Sequence, residues 1–328
     1  MPEILYMSMK YIRLHTTDPY YNLAVEEYLL RHSDEDIFML WQNEPSVILG
    51  KNQNAYAEVN LAYAKERGIH VVRRISGGGA VYHDAGNLNY TFITSRERAA
   101  VLDYAYFTAP ILRALGALGL VCELSGRNDL ECEGRKFSGN AQAYAEDRVL
   151  HHGTLLFDAN VGVMGEVLKK DEEKLAHKGV KSHRSRVVNL RKLLPKEIGM
   201  GDFIRHIESE VVSAMGAEIC PAPENEIIDA LRARNASEEW IYSEHRYLTT
   251  YEVVRRQKYL FGIVGVSLRL VKDVIEEIVV SGDFFGQKPV EELEALLVGR
   301  RVDQPLGIDP TPYIAGMTEE ELAALLRP

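Results

Sequence analysis

Residues 120–157 hold three strand-length segments, at 120–124, 136–144 and 149–157, each alternating between apolar and polar residues or running apolar. Two turn-forming pairs, Glu133-Gly134 and Glu146-Asp147, precede the second and third segments. Gaps this short cannot contain the crossover of a dozen or more residues that a parallel neighbour requires. The middle of the chain therefore pairs largely antiparallel. This excludes a doubly wound parallel sheet and gives an α+β class, a mixed or antiparallel sheet with flanking helices.

Helices frame these strands. Asp18-Pro19 ahead of an apolar-periodic run is an N-cap followed by proline at the first helical position. Residues 60–67, stopped by Gly68, and 103–116 and 202–215 have helical spacing, whereas 37–41, 46–50, 69–73 and 89–94 are of strand length and composition. Residues 221–240 are polar and turn-rich and suggest a linker. Beyond it, strands at 260–271 and 274–280 and helices at 289–297 and 318–326 suffice for a small α+β unit. The expected division is 1–245 and 246–328.

Composition narrows the function classes. In 328 residues, 38 Lys and Arg face 48 Asp and Glu, a net charge of -10, so general attraction to nucleic acid is not expected. No apolar stretch approaches the roughly 20 residues of a membrane span, and the start lacks a secretory pattern, so the expected location is cytoplasmic. Cys122, Cys132 and Cys220 form no C-x-x-C pair and too small a set for a disulfide framework.

Three segments carry candidate chemistry. In VVRRISGGGAVYHDAGNLNY, residues 71–90, three consecutive glycines follow a strand. Each glycine costs about 0.5–1 kcal/mol relative to alanine in a regular element, which is tolerated where backbone turns sharply or approaches a ligand. Backbone N–H groups with Arg73 and Arg74 beside them would make an anion cradle; a glycine-rich hairpin with surface arginines is the plainer alternative. The stretch matches neither a Walker A loop nor G-x-G-x-x-G. The second segment, GRNDLECEGRKFSGNA, places Asn128 and Asp129 before a turn and Lys136 and Ser138 after it, so that an amine could meet an oxyanion and a carboxylate could hold hydrated Mg²⁺. In the third, HHGTLLF, alternation puts His152 and Thr154 on one face and His151 on the other. A fourth stretch, residues 171–192, is locally basic, with seven lysines and arginines against three acids.

In combination and in order these segments resemble the lipoate-protein ligase family. The likeness rests on Arg73-Arg74-x-Ser76-Gly77-Gly78-Gly79-Ala80-Val81-Tyr82-His83-Asp84, on Gly126-Arg127-Asn128-Asp129, on Gly134-Arg135-Lys136-Phe137-Ser138-Gly139-Asn140-Ala141, on His151-His152-Gly153-Thr154, and on Lys181-Ser182-His183-Arg184-Ser185-Arg186. Trp41 to Asn54, with Pro45, Gly50 and Gln53, matches more weakly. The resemblance implies a fold related to the catalytic domains of biotin ligases and class II aminoacyl-tRNA synthetases. It also implies activation of lipoate by Mg-ATP to lipoyl-AMP, then transfer to a lysine of a lipoyl domain of a 2-oxoacid dehydrogenase complex or of glycine cleavage H protein.

Carried onto this sequence, the resemblance makes Lys136 the catalytic contact to carboxylate and α-phosphate. Arg74, Ser76, Gly77, Gly78, Gly79, Ala80, Val81, Tyr82, His83 and Asn87 would bind lipoate or nucleotide, with Val72, Val81 and Tyr82 forming the apolar slot. Asn128, Asp129, Ser138, Gly139, Ala141, His152 and Thr154 would complete the site, Asp129 holding Mg²⁺, and Lys181, Arg184 and Ser185 would belong to a loop over the adenylate. Competing readings are an octanoyl or lipoyl acyltransferase working through a cysteine thioester, and a non-catalytic lipoyl-domain binder. A biotin ligase fits less well, since its basic glycine-rich adenylate loop is missing from the sequence.

Overall fold

The computed structural model describes residues 9–99, 102–169 and 187–327. In chain order its strands are β1 (Lys10–Arg13), β2 (Ile37–Trp41), β3 (Ser46–Leu49), β4 (His70–Arg73), β5 (Val81–His83), β6 (Asn87–Ser95), β7 (Cys122–Ser125), β8 (Asp129–Cys132), β9 (Arg135–Ala145), β10 (Arg148–Leu156), β11 (Glu218–Cys220), β12 (Val253–Tyr259), β13 (Gly262–Val271) and β14 (Val274–Gly282). Eight of them form one sheet in the order β11-β1-β2-β6-β10-β9-β8-β7. β11, β1 and β2 run parallel, and every pairing from β2 through to β7 is antiparallel. The expected mixed sheet is thus what forms.

Period-two alternation gives this sheet two apolar faces. On one, Tyr11, Phe38, Phe92 and Phe137 pack against the helices Tyr104–Ala117 and Met200–Met215. On the other, Met39, Trp41, Ile93 and Leu150 pack against the helix Pro19–His32. That helix starts as expected: the Asp18 carboxylate accepts the Tyr20 and Tyr21 N–H groups, satisfying two of the donors a helix start leaves open. A small sheet, β4-β3-β5, covers the same face through Ile48 and Val72, while Val47, Leu49, Val71 and Tyr82 on its far side enter a separate core. The space between the large and small sheets, beside this first helix, becomes the cleft described below.

The strands β12, β13 and β14 form a third sheet, with its own core closed by the helices Val290–Leu297 and Glu319–Leu326. Its link to the rest is structured, which corrects the reading of 221–240 as a linker. Residues Glu226–Asn235 and Glu238–Tyr242 are helices. Arg234 pairs with Glu27, the Asn235 amide donates to the Tyr20 carbonyl at 3.1 Å, and the Trp240 indole donates to the Arg73 carbonyl at 2.9 Å. Asn235 is buried, Arg234 and Trp240 are half-buried, and all three are held by polar or backbone partners, so these contacts leave little apolar signal in the sequence. Strands β1, β5, β8, β11 and β12 lie outside the expected elements; the first four have only three or four residues, and β12, VVRRQKY, is mostly polar.

Candidate active site

The cleft between the sheets has a volume of about 120 Å³. The small sheet contributes Ile48, Arg74, Gly78, Gly79, Ala80, Val81 and His83; β2 contributes Trp41, β6 contributes Asn89 and the first helix contributes Leu23. Opposite them stand Asn128, Lys136, Gly139, Asn140 and Ala141 from the β7–β9 region, and His152, Gly153 and Thr154 from β10. The triglycine bend and Lys136, far apart in sequence, therefore line one cavity.

Lys136 extends past the bare Gly139 backbone, where an added Cβ would come within 3.2 Å of its Nζ. Its amine lies 2.7 Å from the Asp129 carboxylate, and both side chains are about one-third exposed. Register explains the meeting: β8 pairs with β9 with Glu131 opposite Lys136, and a shift between Leu130 and Glu131 turns the strand locally. Within the described end of the basic stretch, the Val188 N–H donates to the Lys136 carbonyl at 2.9 Å. Lys181, Arg184 and Ser185 lie outside the described residues.

Of the two arginines beside the glycines, Arg73 does not line the cleft, a correction to its expected place in an anion cradle, whereas Arg74 stands on the cleft wall. Arg73 is buried, and its guanidinium donates to the carbonyls of Gly50, Lys51, Gln53, Trp240 and Ile241. Arg74 lines the cleft, but its guanidinium donates to the Ile48, Gly77 and Gly79 carbonyls and the Ser76 hydroxyl at 2.6–3.0 Å. Burial lowers its pKa to about 10. The five carbonyls around Arg73 clamp the Gly50–Gln53 turn to the Trp240–Ile241 helix end, and the four acceptors around Arg74 shape the bend, since each buried acceptor finds a charged donor. Lys136 is the other cationic side chain among the described residues that line the cleft.

Behind the bend runs a chain of buried hydrogen bonds. The Trp41 indole donates to Thr91 Oγ1 at 2.9 Å and Thr91 donates to the Glu26 carboxylate at 2.5 Å. The Glu26 oxygens lie 3.1 Å from His152 Nδ1, and His152 Nε2 lies 2.8 Å from Ser76 Oγ. Every donor finds an acceptor when His152 carries its proton on Nδ1 and Ser76 donates to Nε2. Ser76 and His152 are therefore linked by one bond, with only His152 on the cleft wall. Glu26 gave no sequence signal, because beside Glu27 in an amphipathic helix it looks like any solvated acid.

Other expected site residues divide by face. Tyr82 points away into the core on the far side of the small sheet, and Gly77 abuts the Phe284 carbonyl, so neither lines the cleft. Asn87 donates to Asn89 and sits behind it, and Ser138 is buried where it accepts from Asn140. Val72 packs beneath the small sheet. Asn128 lines the cleft, yet its amide donates to the Asn140 carbonyl at 2.6 Å, tying the hairpin tip to β9. Thr154 Oγ1 accepts the Gly139 N–H at 3.1 Å. The apolar wall is Leu23, Trp41, Ile48, Ala80 and Val81; of these Leu23 and Ile48 were not singled out in the sequence, and only their shared facing across two sheets reveals them.

His83 is buried and its pKa is pushed down to about 3, first by desolvation and then by Arg74 and His152. Its Nδ1 lies 3.1 Å from the Asn43 amide, which leaves the Nε2 proton without a protein partner at the cleft. His151 faces the opposite core, where it stacks on Phe107 at 4.8 Å and is held neutral by burial.

Residues 18–212 match the lipoyl protein ligase A/B catalytic domain, and residues 249–326 match the bacterial lipoate protein ligase C-terminus. The chain belongs to the lipoate-protein ligase family. The lipoate-protein ligase LplJ of Bacillus subtilis is 36% identical over 94% of this chain and 97% of its own. Among solved structures, that of Plasmodium falciparum LipL1 in complex with lipoate aligns over 90% of each chain at 22% identity with a TM-score of 0.77. A bipartite ligase from Thermoplasma acidophilum, described with its E2 lipoyl domain, aligns over 76% of this chain and all of its own at 26% identity and TM-score 0.64. A lipoate-protein ligase A bound with ATP covers 72% and 99% at 24% identity and TM-score 0.60. These likenesses show the shared fold.

Mg²⁺ usually takes one or two protein carboxylates and completes its shell with water and substrate phosphates. Among the described residues no group of three or more His, Cys, Asp or Glu forms a ready-made metal cage. Asp129, whose carboxylate already meets the Lys136 amine, fits the single-carboxylate arrangement.

Proposed function

We propose that this chain is an ATP-dependent lipoate-protein ligase whose residues 1–245 carry both half-reactions and whose residues 246–328 form an accessory unit. The observation that carries this reading is the shared cleft. The Lys136 amine faces the glycine bend across it, and Leu23, Trp41, Ile48 and Val81 give an apolar surface for an acyl tail. In the first step a lipoate carboxylate oxygen bonds to the α-phosphorus of ATP and pyrophosphate leaves. In the second the ε-amine of an acceptor lysine bonds to the carboxyl carbon, loses a proton, and AMP leaves.

Both steps need charge stabilisation and alignment more than covalent help from the protein. Lys136 supplies a positive charge to the carboxylate and the α-phosphate. Gly78, Gly79 and Ala80, shaped by the Arg74 clamp, bring backbone close to the substrate. Asp129 would hold Mg²⁺, which when bound neutralises phosphate charge. His152 and Thr154 form the wall from β10, and His83 offers a donor to the ligand. Lys181, Arg184 and Ser185 are assigned to the adenylate by resemblance.

None of the three cysteines lines the cleft, which favours adenylate chemistry over a cysteine thioester. The acceptor is a lipoyl domain, and we extend it to those of 2-oxoacid dehydrogenases and to glycine cleavage H protein. A cytoplasmic site of action accords with this reading. Among the described residues no helix is long and apolar enough to cross a membrane.

The test is lipoate-dependent exchange of pyrophosphate into ATP, followed by the mass of purified acceptor domains. Loss of one preorganised charge donor typically costs on the order of 10²–10³ in rate. Lys136→Ala should lose that much exchange while keeping its far-UV spectrum and melting temperature. A folded variant with undiminished exchange would remove Lys136 from the chemistry.

A further inference from the structure

Two cysteines outside the cleft face each other. Cys122 on β7 and Cys132 on β8 are directly opposite in the antiparallel ladder, so their side chains emerge on the same face of the hairpin. Opposed residues in such a ladder have Cα atoms about 4.5–5.5 Å apart, inside the roughly 4.4–6.8 Å range that a disulfide spans. Cys132 is buried and its Sγ donates to the Val121 carbonyl at 3.2 Å, while Cys122 is half-buried and reachable. Burial, followed by the neighbouring Cys132 thiol, pushes the Cys122 thiol well above its ordinary pKa. Cys220 lies away on β11, at the opposite edge of the sheet.

We propose that Cys122 and Cys132 are an oxidative modification site that closes to a cross-strand disulfide in the presence of a small disulfide oxidant. With oxidised glutathione, the Cys122 thiol gives up its proton and attacks one glutathione sulfur, and the S–S bond breaks to release one reduced glutathione. The Cys132 thiol then loses its proton and attacks Cys122 Sγ, releasing the second. The protein loses two hydrogens and two electrons, and one oxidised glutathione becomes two reduced molecules.

Two consequences follow from the setting. The thiolate is scarce at neutral pH, so closure is slow and speeds up about tenfold for each pH unit in the range where both thiols remain mostly protonated. The crosslink also ties the edge strand to β8, whose first residue, Asp129, meets Lys136. Opening of the hairpin should therefore slow in the oxidised protein.

The full chain is incubated with oxidised glutathione, quenched by alkylation and weighed. The expected result is loss of two hydrogens, one alkylatable thiol remaining, and a non-reducing digest that joins the peptides containing Cys122 and Cys132. Cys220→Ser should behave as the parent does, Cys122→Ser should form no crosslink, and amide exchange across residues 122–132 should slow on oxidation and recover on reduction. Three alkylatable thiols after prolonged oxidation, a persistent glutathione adduct at Cys122, or a crosslink through Cys220 would each overturn the proposal.

Discussion

Glu26→Ala tests whether the buried chain behind the bend holds the cleft in shape. Glu26 is 1% exposed and accepts from both Thr91 and His152. Alanine would orphan the Thr91 hydroxyl proton and the His152 Nδ1 proton, and each stranded buried donor costs about 1–3 kcal/mol. The sum is roughly 2–6 kcal/mol, against a typical domain stability of about 5–15 kcal/mol, so the variant should fold but melt early. Freed of Glu26, the imidazole can turn away from Ser76, which shares its hydroxyl with Arg74, and the bend loses one of its supports. Each 1.4 kcal/mol lost in positioning the bend would weaken binding about tenfold.

The assay pairs urea denaturation with the lipoate KM in pyrophosphate exchange. Glu26→Ala should show a lower denaturation midpoint and a raised KM. Glu26→Gln keeps one acceptor, so it should lose about half as much stability. Equal effects of the two substitutions, or a Glu26→Ala protein with unchanged midpoint and unchanged KM, would refute the idea that this chain supports the site.

Further expectations rest on other contacts. Alanine at Gly50 would place a methyl group onto the Gly78 carbonyl oxygen, which is backbone and cannot rotate away. Gly50→Ala should therefore displace the bend and reduce exchange at least tenfold, and a variant with parental kinetics would contradict the packing. Gly78 has φ +88°, where alanine costs about 1–2 kcal/mol, and its Cβ would also lie 2.9 Å from the Phe285 ring; Gly78→Ala should lower both melting temperature and exchange. Stability should also depend on acid. His83 refuses a proton down to about pH 3 in the folded chain, whereas the unfolded chain accepts one near 6.5. Stability is thus undiminished above pH 6.5 and falls as pH drops below it, approaching about 1.4 kcal/mol per pH unit from this residue. His151, held neutral by burial, adds to the slope, and His83→Gln should flatten it measurably in urea titrations between pH 6 and 5.

Much of the architecture is legible in the chain itself. Turns at Glu133-Gly134 and Glu146-Asp147 leave no room for crossovers, and both pairs form hairpins with positive φ at Glu133, Gly134 and Glu146. The Asp18 cap, the Gly68 stop and the run of three glycines are equally local, since each depends on backbone conformations that few residue types favour.

Facing and partnership were decided only in three dimensions. Arg73 and Arg74 look alike beside the glycines, yet one binds the Gly50–Gln53 turn and the Trp240–Ile241 helix end, while the other binds the bend. Their partners lie up to 168 residues away. A guanidinium carries the same charge in water as in a cage of carbonyls, so sequence cannot tell an anion-binding arginine from one already satisfied. For the same reason Glu26 remained silent and residues 221–240 resembled a linker. Local rules set where backbone turns and which side of a strand a residue occupies, whereas the use of a buried polar group depends on what the rest of the chain brings within 3 Å of it.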